Sequence, residues 1–324
     1  MNTFLHRRAF LAGSAALAAG PAFAATFPDR TLKLVVPFPP GAGTDATARI
    51  VAQKLGEVLR QTVVVDNIAG ANGLIGMKAV AKAAPDGYTL GVAVPGPMTI
   101  AQFMFPDMQY DPEADFVPVI KINEARIGLV VAKHIEADTL QDLIRLIREK
   151  PGKINAGNAT VGSVHHLIAE MFRIQEKLDF ILVNYKGGAG ALNDLIGGHI
   201  DFMFIGLSTV TSQVKNGTLK ALMVAGDSRS SILPDVPCSR ELGIAGLIGA
   251  QWQGIVVPKG TPPQVVEVLH AALLQALRSP DVREKLEAIG TEATAGSADE
   301  FAAFLQAERK RWGPVIKTAN IKVE

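Results

Sequence analysis

The stretch LKLVVPFPPGAGTDATARIVAQKL, residues 32–55, decides how the rest of the chain is read. An apolar run stops at Pro39-Pro40-Gly41-Ala42-Gly43, and a helical pattern opens at Thr44-Asp45. The spacing predicts a strand over 32–37 and a helix over 45–59, joined by a glycine-containing loop. In an open parallel sheet such a loop lies at the carboxyl edge of the strands, where ligands bind. The helix start offers unpaired N–H groups and a partial positive charge, which suit an anion. Gly41 and Gly43 permit close approach of the backbone, and Thr44 adds a hydroxyl. A phosphate loop needs a lysine after its last glycine, and none is here; the dinucleotide signature GxGxxG is also missing. A carboxylate needs less charge compensation than a triphosphate, so amides and hydroxyls suffice for it. The alternative is a tight turn in which Asp45 only caps its helix.

Moving outward, strand-like and helix-like segments alternate almost to the end. Strands are predicted at 63–66, 89–94, 127–132, 153–157, 180–185, 201–205, 219–225 and 252–258. Helices are predicted at 74–83, 139–149, 164–175, 188–196 and 209–215. This βαβα order implies parallel sheets with crossover helices. Three successive helices close the chain, at 262–277, 280–289 and 298–317, and should pack back onto an earlier layer. The expected organisation is two lobes: 26–125 with 251–324 as lobe I, and 126–250 as lobe II. Strand, glycine loop and helix start recur at KINAGNATVGSVHH, 153–166, where Gly162 and Ser163 precede a helix. Facing each other across a cleft, the two loops would hold either two ends of a dianion or one carboxylate and another polar end.

Composition narrows the class. The 324 residues are 48% hydrophobic and 19% charged, enough for a sizeable core. Residues 1–24 read as a secretion signal: two arginines, a short apolar region, and Ala22-Phe23-Ala24 as the cleavage site. Arg7-Arg8-Ala9-Phe10-Leu11 fits either a twin-arginine leader, with His6 where Ser or Thr is usual, or ordinary export. Without the leader, 30 basic residues face 31 acidic ones, and no basic tract argues for nucleic acid or an anionic membrane. Cys238 is the only cysteine, so no intramolecular disulfide forms. His165 and His166 are adjacent, so they point about 100° apart on a helix and cannot act as an i, i+4 metal pair. They read as packed or capping histidines, and no metal or other cofactor is expected. No G-x-S-x-G elbow accompanies Ser163, so catalysis is not expected.

Seven segments then fall into register: VPFPPGAGTD (36–45), AAPDGYTL (83–90), YDPEADFVPV (110–119), HLIAEMF (166–172), YKGGAGALNDLIGGHIDFMF (185–204), LPDVP (233–237) and WQGIVVPKGTP (252–262). Together they resemble the periplasmic substrate-binding receptors of tripartite tricarboxylate transporters, the "Bordetella uptake gene" family, over about residues 26–324. The resemblance implies a two-lobed α/β fold of the periplasmic binding, Venus-flytrap type, each lobe a mostly parallel sheet flanked by helices. It implies a monomer in the periplasm that closes on a small organic carboxylate and presents it to membrane permease subunits. Carried onto this chain, the ligand-binding positions are Phe38, Pro40, Gly41, Ala42, Gly43, Thr44 and Asp45 in one lobe. Those of the other are Gly162, Ser163 and the following helix start, with His165 nearby. Asn67 and the loop Gly206-Leu207-Ser208-Thr209 should also line the cleft. This chain departs from the family pattern at Ala42, Ile68, Asn184 and Ile205-Gly206. The last replaces a polar residue such as Asp, which argues for a non-amino mono- or dicarboxylate against Phe38. A sensor subunit for a membrane signalling partner and an exported small-ester hydrolase are the alternative functions.

Overall fold

The computed structural model describes residues 27–321 apart from 42, 106, 186 and 245, so the expected leader lies outside the described residues. Among the described residues, ten strands form one sheet. In the first half, β1 (Leu32–Val36) lies between β2 (Val63–Asn67) and β3 (Thr89–Ala93), both parallel to it. In the second half, β5 (Asn155–Asn158) lies between β6 (Ile181–Asn184) and β7 (Phe202–Gly206), again parallel. These two trios are what strand–helix alternation predicts, since a crossover helix returns the chain in the same direction.

The halves are joined by antiparallel strands that alternation alone does not predict. β4 (Phe116–Ala132) is 17 residues long and runs through both. Its first part pairs with β9 (Ala250–Pro258) and, at Asn123 and Glu124, with β10 (Glu292–Ala293). Its second part pairs with β7 and with β8 (Leu219–Val224). β9 also pairs antiparallel with β3. Sequence reading places a strand only over 127–132. Pro118 and the polar run Lys121 to Arg126 mask the rest, and the register shifts at Pro118/Ile120 and Lys121/Asn123 mark the bulges that accommodate them.

Helices cover both halves. α1 (Gly43–Leu59), α2 (Leu74–Ala81), α7 (Pro263–Arg278) and α8 (Pro280–Ala288) flank the first, and α7 and α8 both pack on α1. α3 (Leu140–Glu149), α4 (Val164–Glu176), α5 (Gly188–Gly197) and α6 (Leu207–Lys215) flank the second. The Thr139 side chain and Asp142 form a reciprocal capping box at the start of α3, as the sequence predicts.

The last helix, α9 (Ala298–Thr318), belongs to neither half alone. Phe301 and Leu305 pack in one core with Trp252, whereas Trp312 and Ile316 pack in the core of the other half. Gly254 makes the first contact possible: a Cβ there would lie 2.2 Å from the Phe301 ring. Between the two cores sits Glu308, which accepts from Trp252 Nε1 at 3.2 Å and Trp312 Nε1 at 3.1 Å and is paired with Arg311. Burial pushes the Glu308 carboxyl above its ordinary range. Both tryptophans are therefore tied to one carboxylate at the junction of the halves.

Candidate functional site

The loop after β1 is held from behind by charge. Asp45, only 3% exposed, accepts from Gly41 N at 2.9 Å and Arg49 Nε at 3.0 Å through Oδ2. Its Oδ1 accepts from Asn67 Nδ2 at 2.9 Å. Asn67 Nδ2 also donates to Phe38 O at 3.0 Å, and Asn67 Oδ1 accepts from Arg49 Nη2 at 3.1 Å. The Arg49 guanidinium, with the Gly41 amide and Asn67, lowers the Asp45 carboxyl to about 2, so it stays ionised. Asp45 and Asn67 thus tie the loop to β2 and to the first turns of α1. Pro40, Gly41 and Gly43 are exposed on the loop itself, and Ala42 lies outside the described residues. Phe38 and Thr44 turn inward.

The loop after β5 is held by a buried imidazole. Gly162 has φ of 75°, donates its N–H to His166 Nδ1 at 3.0 Å, and would place a Cβ 2.6 Å from Met104 Cε. Only glycine meets both demands cheaply. Ser163 caps α4: its hydroxyl accepts from His166 N at 3.3 Å, and its own N–H donates to Thr160 O. Leu167 N returns to Ser163 O, which leaves the first-turn N–H groups of Val164 and His165 without a partner among the described residues. His165 is partly buried, and burial lowers its ring to about 4, so it is neutral near pH 7. The neighbouring His166, not His165, carries the loop contact. Among the described residues, no group of three or more His, Cys, Asp or Glu could hold a metal ion.

The two loops open onto one cavity of about 200 Å3. Phe38 and Thr44 line it from one side and Gly162, Ser163 and Val164 from the other. Asn72, Val94 to Gly96, and Gln251 to Gln253 complete the wall. The loop Gly206-Leu207-Ser208-Thr209, expected to line the cleft, is not in this wall. Helix α6 begins at Leu207, immediately after β7 and two residues earlier than predicted, with Leu207 itself fully buried. That turns Ser208 and Thr209 away, into a groove against Glu287 to Gly290. Gly206 caps α6 and is not part of the cavity wall either.

Sequence reading missed the amides of the wall. Gln253 is 8% exposed, and its Oε1 is buried without a partner. The signal was present, since two glutamines bracket Trp252 at the start of an otherwise apolar strand. Asn72 sits in the turn NIAGANG (67–73) with φ of 52°, four residues after Ile68.

Comparison with known proteins places these features in a wider group. Residues 47–321 match the family described as tripartite tricarboxylate transporter family receptor. The chain is 33% identical to protein BugT of Bordetella pertussis over 307 residues, 94% of each chain. It is 34% identical to an R. palustris protein solved with adipate, with a TM-score of 0.77, covering 91% of this chain and 99% of that one. It is 32% identical to MatC from Rhodopseudomonas palustris, solved with bound malate, with a TM-score of 0.74, covering 90% and 100%.

Proposed function

Because the chain belongs to the tripartite tricarboxylate transporter receptor family, we propose that it captures a small organic carboxylate in the periplasm and delivers it to membrane permease subunits. The observation that carries this reading is the meeting of two helix N-termini over one cavity, each preceded by a tight glycine-containing loop and each carrying a hydroxyl, Thr44 and Ser163. Oriented N–H groups and hydroxyls are the donors a carboxylate needs. Each such charge-assisted bond contributes roughly 1.5–3 kcal/mol. Several together support a Kd near ~1 μM after the cost of ordering the ligand and closing the lobes. The adipate and malate found in two relatives are organic acids of this kind.

In this reading residues 26–125 with 251–324 form lobe I and 126–250 form lobe II, the cavity lies between them, and the receptor acts as a monomer. Ligand contacts to both lobes favour the closed state. The ligand contacts are Phe38, Thr44, Gly162, Ser163 and the first-turn amides of α1 and α4, with Asp45, Asn67 and His166 as their supports. A hydrolase would need the Ser163 hydroxyl bonded to a free imidazole nitrogen. Here that hydroxyl is bonded to the main chain of His166, and His166 Nδ1 is occupied by Gly162, which favours binding without turnover. Purified protein, unfolded and refolded to remove any resident ligand, should gain several degrees of melting temperature with at least one member of a panel of small mono- and dicarboxylates. Calorimetry should then show one site per chain and no product. A panel with no stabilising acid would defeat the proposal.

A further inference from the structure

The cavity wall has an uneven chemistry. Thr44 and Ser163 stand at the loop side; the β9 side presents Gln251 and Gln253, and Asn72 adds a third amide next to Gly96. No lysine, arginine or histidine is among the described residues that line it. Gln253 lies opposite Asn123 in the antiparallel β4–β9 ladder, so both side chains emerge on the same face of the sheet. Asn123 is 1% exposed and donates to Thr47 Oγ1 at 3.2 Å, one turn below Thr44 on α1. Asn123 Oδ1 and Gln253 Oε1 are both buried without partners. These two unpartnered amide oxygens on one face of the sheet make a polar floor, and it meets the cavity at Gln253.

Building on the carboxylate reading, we infer that Gln253 is the specificity-determining residue and that the ligand carries one carboxylate and a neutral hydrogen-bonding group, a hydroxyl or a carboxamide, at its other end. The physical reason is a mismatch of charge. One carboxylate is accommodated by the helix N-termini of the two loops. A second would meet the β9 side, which offers neutral side-chain amides with neither a helix N-terminus nor a cation, and an ionised group there recovers less of its lost hydration than it does at the loops. A hydroxyl or carboxamide has no such cost. It completes the floor in either sense, because half a turn of the Gln253 amide exchanges donor for acceptor at the wall. A plain alkyl acid leaves the amide unpaired, and polar sites of this kind reject analogues that lack the matching group.

The test compares matched acids by calorimetry on the refolded, ligand-free full-length mature protein. Butyrate, γ-hydroxybutyrate, succinamate and succinate form one set, repeated with their longer homologues to find the best length. The expected result is that the hydroxy or amide acid of the best length binds at least about tenfold more tightly than both the plain acid and the dicarboxylate. Gln253→Met, which keeps the length of the side chain and removes the amide, should abolish that preference by weakening the hydroxy or amide acid and tightening the plain acid, which no longer leaves an amide unpaired. If Gln253→Met melts early, Gln253→Leu gives a second estimate of the same ratio. The dicarboxylate binding tightest, or a ratio unmoved in the variants, overturns the inference while the carboxylate reading stands. Failure of every acid in the series defeats both.

Discussion

The β1–α1 and β5–α4 loops have the same outline, strand, glycine turn and helix start, yet they are fixed by opposite means. The first leaves its backbone exposed and is anchored by an ionised carboxylate that gathers Gly41, Arg49 and Asn67. The second is packed under Met104 and anchored by a buried imidazole whose Nδ1 accepts from Gly162 N–H. Both anchors are buried, Asp45 3% and His166 7% exposed, so neither is held by solvent: the Asp45 charge is sustained by Arg49, Gly41 and Asn67, whereas the ring of His166 takes a single main-chain N–H. Equivalent geometry at a binding cleft therefore does not require equivalent residues.

This contrast can be broken by substitution. Asp45→Ala strips three donors of their acceptor and should have the largest effect, about 3 kcal/mol in urea unfolding, with ligand affinity falling more than about tenfold. An unchanged midpoint would show that the first loop needs no charge. His166→Ala should cost about 2 kcal/mol by leaving Gly162 N–H unpaired, and His166→Asn, whose Oδ1 can take the place of Nδ1, should recover about half. Equal losses in the two variants would remove the imidazole acceptor from the account.

Acid should separate the loops without any substitution. His165 has its folded value depressed to about 4 from an ordinary 6.5, so the unfolded chain binds a proton first and stability falls as pH drops through that interval. Between pH 7 and pH 5.5 the expected loss is about 1 kcal/mol, read as a fall of a few degrees in melting temperature. Asp45 contributes in the opposite region: its stabilisation is present above pH 3.8 and is lost towards pH 2. His165→Gln should flatten the first interval and leave the second. The smallest effects belong to the two hydroxyls. Thr44→Val and Ser163→Ala should each weaken ligand binding by about tenfold, but only Ser163→Ala should also cost about 1 kcal/mol of stability, because that hydroxyl caps α4.

The elements that were legible in the sequence are those governed by neighbours in the chain. The alternation that predicts the two parallel trios, the Thr139 capping box and the Ser163 cap all lie within a few residues of their partners. Those that were not legible depend on strands far apart. The first part of β4 looks like a polar connection until β9 and β10 pair with it. Ser208 looks like a cleft residue until the burial of Leu207 starts α6 early. Asp45 and Asn67, 22 residues apart in sequence, look unrelated until the parallel β1–β2 pair brings them to a 2.9 Å hydrogen bond.

By itself the sequence determined the periodicities, the caps and the two glycine loops, because hydrophobic alternation and helix-end chemistry are local and follow from residue type and spacing. Only the tertiary structure decided that these loops share one cavity, that Glu308 joins two tryptophans across the halves, and that Gln253 lines the cavity with its Oε1 buried and unpartnered. Those outcomes depend on which buried polar groups find partners once distant strands are brought together, and composition and spacing do not encode that pairing one residue at a time.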